Sequence, residues 1–143
     1  MNLNNNIKNL YSTFPNILVV EDDDVLQKVT PLMIKMCGYN STLATTGQEA
    51  IRLFKKGFDL IFLDIRLPDI NGFDVCKKIR ALEKLNGVYT PILAYTAFGE
   101  LVRKDCLAAG MDGLLTKGSS LAEMEKTIKQ LLKIKINSVF EVS

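Results

Sequence analysis

The chain alternates short, densely apolar runs with longer segments in which apolar residues recur every three to four positions. The runs have the length of strands and the longer segments the period of amphipathic helices, the pattern of an α/β fold with a parallel sheet. It predicts strands at about 16–21, 40–44, 58–63, 90–95 and 112–116, and helices at about 23–37, 47–56, 72–84, 99–109 and 120–135. Thr46-Gly47-Gln48-Glu49 and Ser120-Leu121-Ala122-Glu123 have the form of a capping box. Gly38, Gly57 and Gly110 stand where helices should stop. Pro31, inside the first helical segment, is expected to kink it or to confine its regular part to one side. The last helix gathers Leu121, Met124, Ile128, Leu131 and Leu132 on one face, so it should cover the sheet and leave Lys126, Lys129 and Lys133 in solvent.

Four of the apolar runs end on residues that can handle a phosphoryl group. Ile17-Leu18-Val19-Val20 leads into Glu21-Asp22-Asp23, Leu60-Ile61-Phe62-Leu63 into Asp64, Pro91-Ile92-Leu93-Ala94-Tyr95 into Thr96, and Gly113-Leu114-Leu115-Thr116 into Lys117. Ligands of an open parallel sheet bind outside the carboxyl ends of its strands, so these side chains should converge. Glu21, Asp22 and Asp64 held close together would repel one another, and a divalent cation removes that conflict. With only oxygen ligands on offer, the natural ion is Mg²⁺. Asp23, with Asp24 beside it, is better read as a helix cap. Asp64 has no helix starting directly after it. It leads into Ile65-Arg66-Leu67-Pro68-Asp69-Ile70-Asn71-Gly72, a loop carrying a proline and an Asn-Gly turn signal. A carboxylate so placed can attack a phosphoryl group to give an aspartyl phosphate, with Thr96 bonding one phosphoryl oxygen and Lys117 neutralising another.

Composition narrows the alternatives. At 143 residues, 48% hydrophobic and 24% charged, the chain reads as one globular domain with a proper core. Residues 1–15 read as a flexible lead-in, 16–135 as the domain, and 136–143 as a tail or linker stub. No apolar stretch is long enough to span a membrane, and no signal-peptide core is visible at the N-terminus. The net charge of +2 is too small to argue for nucleic acid. Three cysteines, Cys37, Cys76 and Cys106, show no metal-ligand spacing and suggest reduced thiols in a cytoplasmic protein. Histidine is absent, which removes Ser-His-Asp and Cys-His catalysis and every histidine metal site.

Ile17-Leu18-Val19-Val20-Glu21-Asp22, Asp64 with Pro68 and Gly72, Thr96-Ala97 and Lys117 together resemble a two-component response-regulator receiver domain, over about residues 16–133. The resemblance implies a flavodoxin-like three-layer sandwich, with a five-stranded parallel sheet of order 2-1-3-4-5, two helices on one face and three on the other. It implies Asp64 as phospho-acceptor, and Mg²⁺ held by Glu21, Asp22, Asp64 and the backbone carbonyl of Arg66. Thr96 and Ala97 become the switch segment and Lys117 a phosphoryl contact. The implied donor is a phosphohistidine on a histidine kinase or histidine phosphotransfer protein. The implied readout is a shift of the fourth-helix, fifth-strand and fifth-helix surface, seen by an effector protein or an output domain outside this chain, with dimerisation on phosphorylation as one form. Cys106-Leu107-Ala108-Ala109-Gly110-Met111-Asp112-Gly113 is most similar to receivers attached to hybrid sensor kinases.

The chain departs from the family pattern in two places. Gly118 follows Lys117 where the family usually has a cis proline. A non-proline cis bond costs about 2.5–4 kcal/mol, so a trans bond is expected. Leu114 replaces a frequent aromatic switch residue, and Tyr95 is expected to be a half-buried strand aromatic rather than its substitute. Arg66 and Phe98 occupy positions that tune phosphoryl lifetime, and their bulk predicts a lifetime longer than minutes. Two other functions remain: a receiver-like docking module without phosphorylation, and a Mg²⁺-dependent phosphohydrolase with an aspartyl-phosphate intermediate. The hydrolase would want an acid two residues after Asp64, where this chain has Arg66. A receiver would not be a multi-turnover enzyme by itself.

Overall fold

The computed structural model describes residues 15–141, with side chains through residue 136; all but the last residue of the expected lead-in lies outside this range. In chain order the elements are β1 (Asn16–Val20), α1 (Leu26–Met36), β2 (Asn40–Ala44), α2 (Gly47–Phe54), β3 (Leu60–Leu63), α3 (Gly72–Asn86), β4 (Ile92–Thr96), a 3-10 turn (Gly99–Val102), α4 (Arg103–Ala109), β5 (Gly113–Thr116) and α5 (Leu121–Glu141). All strand pairs are parallel, in the order β2-β1-β3-β4-β5.

Alternation along the strands divides the core in two. Leu18, Val20, Ile61 and Leu63 face the layer of α2, α3 and α4, where they meet Ala50, Leu53, Val75, Ile79 and Cys106. Ile17, Val19, Leu60 and Phe62 face α1 and α5, where they meet Ile34, Met124, Ile128 and Leu131. Because the inner strands are covered on both faces, they read as continuous apolar runs. Each fully buried Ile, Leu or Phe contributes about 1.5–3 kcal/mol.

Both capping boxes form on one side, with Thr46 Oγ1 accepting from Glu49 N–H and Ser120 Oγ from Glu123 N–H, each at 3.1 Å. Several boundaries differ from expectation. α1 begins at Leu26, because Asp23 Oδ1 accepts from Leu26 N–H (2.9 Å) and holds the preceding residues in a turn. Regular helix continues on both sides of Pro31, so the proline does not confine it. The Asn71-Gly72 pair does not close a turn but opens α3, with Asn71 Oδ1 accepting from Asp74 N–H (2.9 Å). The fourth helix is split, its first turn being 3-10, and α5 runs six residues past the expected end.

A polar brace ties the amino-terminal ends of β4 and β5 to α3. Arg80 on α3 donates to Gly110 O (3.0 Å), Thr90 O (2.8 Å) and Asp112 Oδ2 (2.8 Å), pairs with Glu83 and stacks on Tyr89 at 4.2 Å. It lies at the end of the sheet away from the strand-end acids, so it fixes the frame and leaves the other end free for chemistry.

Candidate functional site at the strand ends

The sheet order puts β1 and β3 side by side although β2 lies between them in sequence, and their last residues, Val20 and Leu63, are paired. The next residue of each strand is an acid. Glu21 and Asp64 are almost fully buried, while Asp22 is exposed. One carboxylate oxygen from each of Glu21, Asp22 and Asp64 lies within 4.8 Å of the others. β5 delivers the counter-charge. Lys117 N–H donates to Thr96 O (2.8 Å), fixing the chain beyond β5 against the end of β4. The Lys117 ammonium then sits 2.8 Å from Asp64 Oδ2 and 2.9 Å from Glu21 Oε1.

Glu21 is the most constrained of the acids. Its Oε2 accepts from Asp22 N–H (3.1 Å), Asp23 N–H (3.2 Å) and the Lys117 ammonium (3.2 Å). Its Oε1 is buried and has no aligned hydrogen-bond donor, despite the nearby ammonium. Burial pushes the Glu21 carboxyl up to about 7; Lys117 pulls against that shift and neighbouring Asp64 adds to it. Burial also works against the charge of Lys117, but Asp64 and Glu21 outweigh it and hold its pKa above the ordinary lysine value. A buried carboxylate oxygen without a donor, in an all-oxygen acid cluster, fits a hard divalent cation. Glu21, Asp22 and Asp64 are the side chains that would hold it.

These groups open into a cleft of about 490 Å³ lined by Asp22, Asp23, Asp24, Asp64, Arg66, Thr96, Ala97, Phe98 and Lys117. The sequence-expected site residues Asp22, Asp64, Arg66, Thr96, Ala97 and Lys117 therefore line one cleft, and buried Glu21 meets it through its contact with Lys117. Arg66 N–H donates to Asp64 Oδ1 (3.3 Å) and its guanidinium lies over the Phe98 ring. Thr96 is buried, with its Oγ1 accepting from Phe98 N–H (3.2 Å). Gln27 escaped the sequence reading. Its side-chain amide donates to Glu21 O (3.0 Å) from the first turn of α1, and neither spacing nor pattern marks it.

The loop after Asp64 is held from two sides. Gly72 N–H donates to Ile65 O (2.7 Å), and a Cβ at Gly72 would stand 2.3 Å from the Asp64 carbonyl oxygen. Asp69 reaches α2, its carboxylate accepting from Gly47 and Gln48 N–H at 2.8 Å each. At the other strand end no peptide among the described residues is cis, and Gly118 turns the chain with φ +91°, a region other residues rarely enter. Leu114 packs against the α2–α3–α4 layer. Tyr95 is more buried than expected and lies in the opposite layer, edge-on to Phe62 at 5.4 Å. It therefore cannot replace an aromatic at the position of Leu114.

Comparison with known proteins agrees with this geometry. The chain is 36% identical over 141 residues to response regulator mcs4 of Schizosaccharomyces pombe, an alignment covering 80% of this chain and 27% of that protein. It is 34% identical over 119 residues to the transcriptional regulatory protein TrcR of Mycobacterium tuberculosis, covering 82% and 45%. The chain thus spans less than half the length of these relatives. Among solved structures it resembles the receiver domain of sensor histidine kinase PA1611 from Pseudomonas aeruginosa, which has a magnesium ion in its active site cleft (TM-score 0.75, 34% identity, covering 85% of this chain and 99% of that one). It also resembles the Saccharomyces cerevisiae Ssk1 receiver, solved in complex with the histidine phosphotransfer protein Ypd1 (TM-score 0.75, 32% identity, covering 83% and 90%). The sequence model of the response regulator receiver domain matches residues 17–129, and the chain belongs to that family.

Proposed function

We infer that this receiver accepts a phosphoryl group on Asp64 from a phosphohistidine of a histidine kinase or histidine phosphotransfer protein, and that the transfer requires Mg²⁺. The observation that carries this reading is Lys117, which spans the β1 and β3 acids, 2.8 Å from Asp64 and 2.9 Å from Glu21. A carboxylate nucleophile, two further acids and a cation already share one cleft. One Asp64 oxygen forms the new O–P bond as the donor's N–P bond breaks, and the electron pair returns to the imidazole nitrogen. Bound Mg²⁺ would supply neutralisation of the acids and of the charge developing on the phosphoryl oxygens.

The chain's own residues do the rest. Lys117, no longer the sole counter-charge of the acids, meets a phosphoryl oxygen. The Thr96 hydroxyl donates to another, which draws on the segment from Ala97 to Val102. Leu114 offers no aromatic ring to swing, so that segment carries the change to the α4 surface. The acid two residues after the nucleophile that a hydrolase would use is replaced by Arg66, stacked on Phe98. This supports a single acceptance event over multi-turnover hydrolysis. A cytoplasmic setting follows from the donor chemistry.

Intact mass after incubation with Mg²⁺ and acetyl phosphate tests the reading. One phosphoryl group should be gained, and none in EDTA or in Asp64→Asn. A folded chain that gains nothing would be a docking module, and steady phosphate release would favour the hydrolase.

A further inference from the structure

Two consecutive acids have to serve one cleft. Along a strand, successive side chains point to opposite faces of the sheet. Glu21 and Asp22 nevertheless each bring a carboxylate oxygen within 4.8 Å of the other's and of Asp64's. The backbone between them must therefore leave the strand. β1 ends at Val20, and Glu21 N–H still bonds Ala44 O of β2 (3.0 Å), as one more rung of the ladder. The Glu21 carbonyl then turns to α1, where it accepts from the side-chain amide of Gln27 at 3.0 Å.

That bond completes a clamp on one peptide. The Glu21–Asp22 peptide has its carbonyl held by Gln27 and its N–H held by the Glu21 carboxylate, whose Oε2 accepts from Asp22 N–H at 3.1 Å. The N–H hold draws on the same carboxylate that would face a cation. The Gln27 hold does not, so it stays available whether the site is filled or empty. Gln27 is itself fixed in the first turn of α1, its backbone N–H donating to Asp23 O (2.9 Å) while Asp23 Oδ1 caps Leu26 N–H (2.9 Å). Its side chain is half-buried, which limits the competition of water for the bond.

Resting on the reading of Glu21, Asp22 and Asp64 as the side chains that hold Mg²⁺, we propose that Gln27 is a positioning residue for the cation. It keeps the Glu21–Asp22 peptide in the plane that turns both carboxylates towards Asp64, and it acts only through that peptide. Without the amide the peptide is free to rotate, and Asp22, the exposed member of the cluster, swings with it. Contacts that orient metal-holding groups in this way set metal affinity by about 10- to 100-fold.

Two variants test this. Gln27→Met keeps the length of the side chain and removes the amide, and Gln27→Asn keeps the amide but falls one methylene short of Glu21 O. Calorimetric titration with MgCl₂ alone should give both a Kd at least about tenfold above that of the wild type. Their Tm without Mg²⁺ should stay close to the wild-type value, which reports an intact fold. With acetyl phosphate, the Mg²⁺ concentration for half-maximal labelling should rise by the same factor while the rate at saturating Mg²⁺ is kept, a split that a loosened fold would not give. An unchanged Kd in Gln27→Met overturns the proposal. So does a Gln27→Asn chain that binds like the wild type, since polarity rather than the bond would then matter. A saturated rate that falls with no shift in half-saturation overturns it as well. A wild type that takes up no Mg²⁺ in the titration is a different failure, because it removes the cation reading itself and the proposal with it.

Discussion

The Arg66 guanidinium lies over the Phe98 ring, 4.5 Å from its centroid, so residues two places beyond Asp64 and Thr96 meet across the mouth of the cleft. Arg66 is exposed and Phe98 half-buried, a setting in which a cation–π contact contributes about 0.5–1 kcal/mol. The pair would stand between solvent and a phosphoryl group carried by Asp64. The aspartyl phosphate of the wild type should therefore outlast minutes. Phe98→Ala or Arg66→Ala should speed its loss about two- to fivefold, the kinetic equivalent of that contact. A phosphate-release time course checks both. Loss within seconds in the wild type, or no change in either variant, would sink the shielding role.

Gly72 allows the loop after Asp64 to close upon the backbone of Asp64 itself. A Cβ there would stand 2.3 Å from the Asp64 carbonyl oxygen and 2.8 Å from Ile65 Cα, both backbone atoms that cannot swing aside. Gly72→Ala should cost about 1–3 kcal/mol of stability. It should also lower the initial rate of Asp64 labelling by acetyl phosphate, because the clash falls on the backbone of Asp64, the proposed acceptor. Urea unfolding and the labelling rate give independent readings. A variant as stable and as fast as the wild type would show that the loop does not depend on this approach.

The strand-end site was legible because each of its members follows an apolar run, and parallel topology brings such ends together whatever their separation in sequence. The layers were legible from period, and both capping boxes from spacing. The Arg80 brace was not, because Arg80 meets Gly110 and Asp112 across about 30 residues and nothing in its local pattern announces them. The 3-10 turn at Gly99–Val102 was missed because apolar spacing does not separate a tight first turn from an ordinary one.

Asp69 is a cap supplied from a distance. It accepts from Gly47 and Gln48 N–H at the start of α2, 22 and 21 residues away. Burial acts to raise its pKa, but those backbone donors outweigh it and leave the carboxyl below its ordinary value. Its stabilising contribution is thus present above the ordinary carboxylate pKa and is lost as pH falls through the depressed one. Asp69→Ala should cost on the order of 1 kcal/mol at neutral pH. The gap in urea midpoint between variant and wild type should narrow below about pH 4. A gap that persists or widens in acid would rule out the charged cap.

Lys117 should control how strongly the chain responds to Mg²⁺. In the absence of the ion its ammonium is the counter-charge for two buried carboxylates, 2.8 and 2.9 Å away. Lys117→Met keeps much of the side-chain bulk and removes the charge. Breaking a buried pair from one side costs about 3–5 kcal/mol, and the partial exposure of Lys117 puts the expected loss at the lower end or below. The same substitution removes a positive charge that competes for Glu21 and Asp64. The variant should therefore bind Mg²⁺ more tightly and gain more in Tm from millimolar Mg²⁺ than the wild type does. It should also accept a phosphoryl group more slowly, since the cation that meets the incoming oxygens is gone. Thermal unfolding with and without Mg²⁺ separates these effects from general damage to the fold. An equal or smaller Mg²⁺ gain in the variant would mean that the ion is held elsewhere, away from the acids that Lys117 now neutralises.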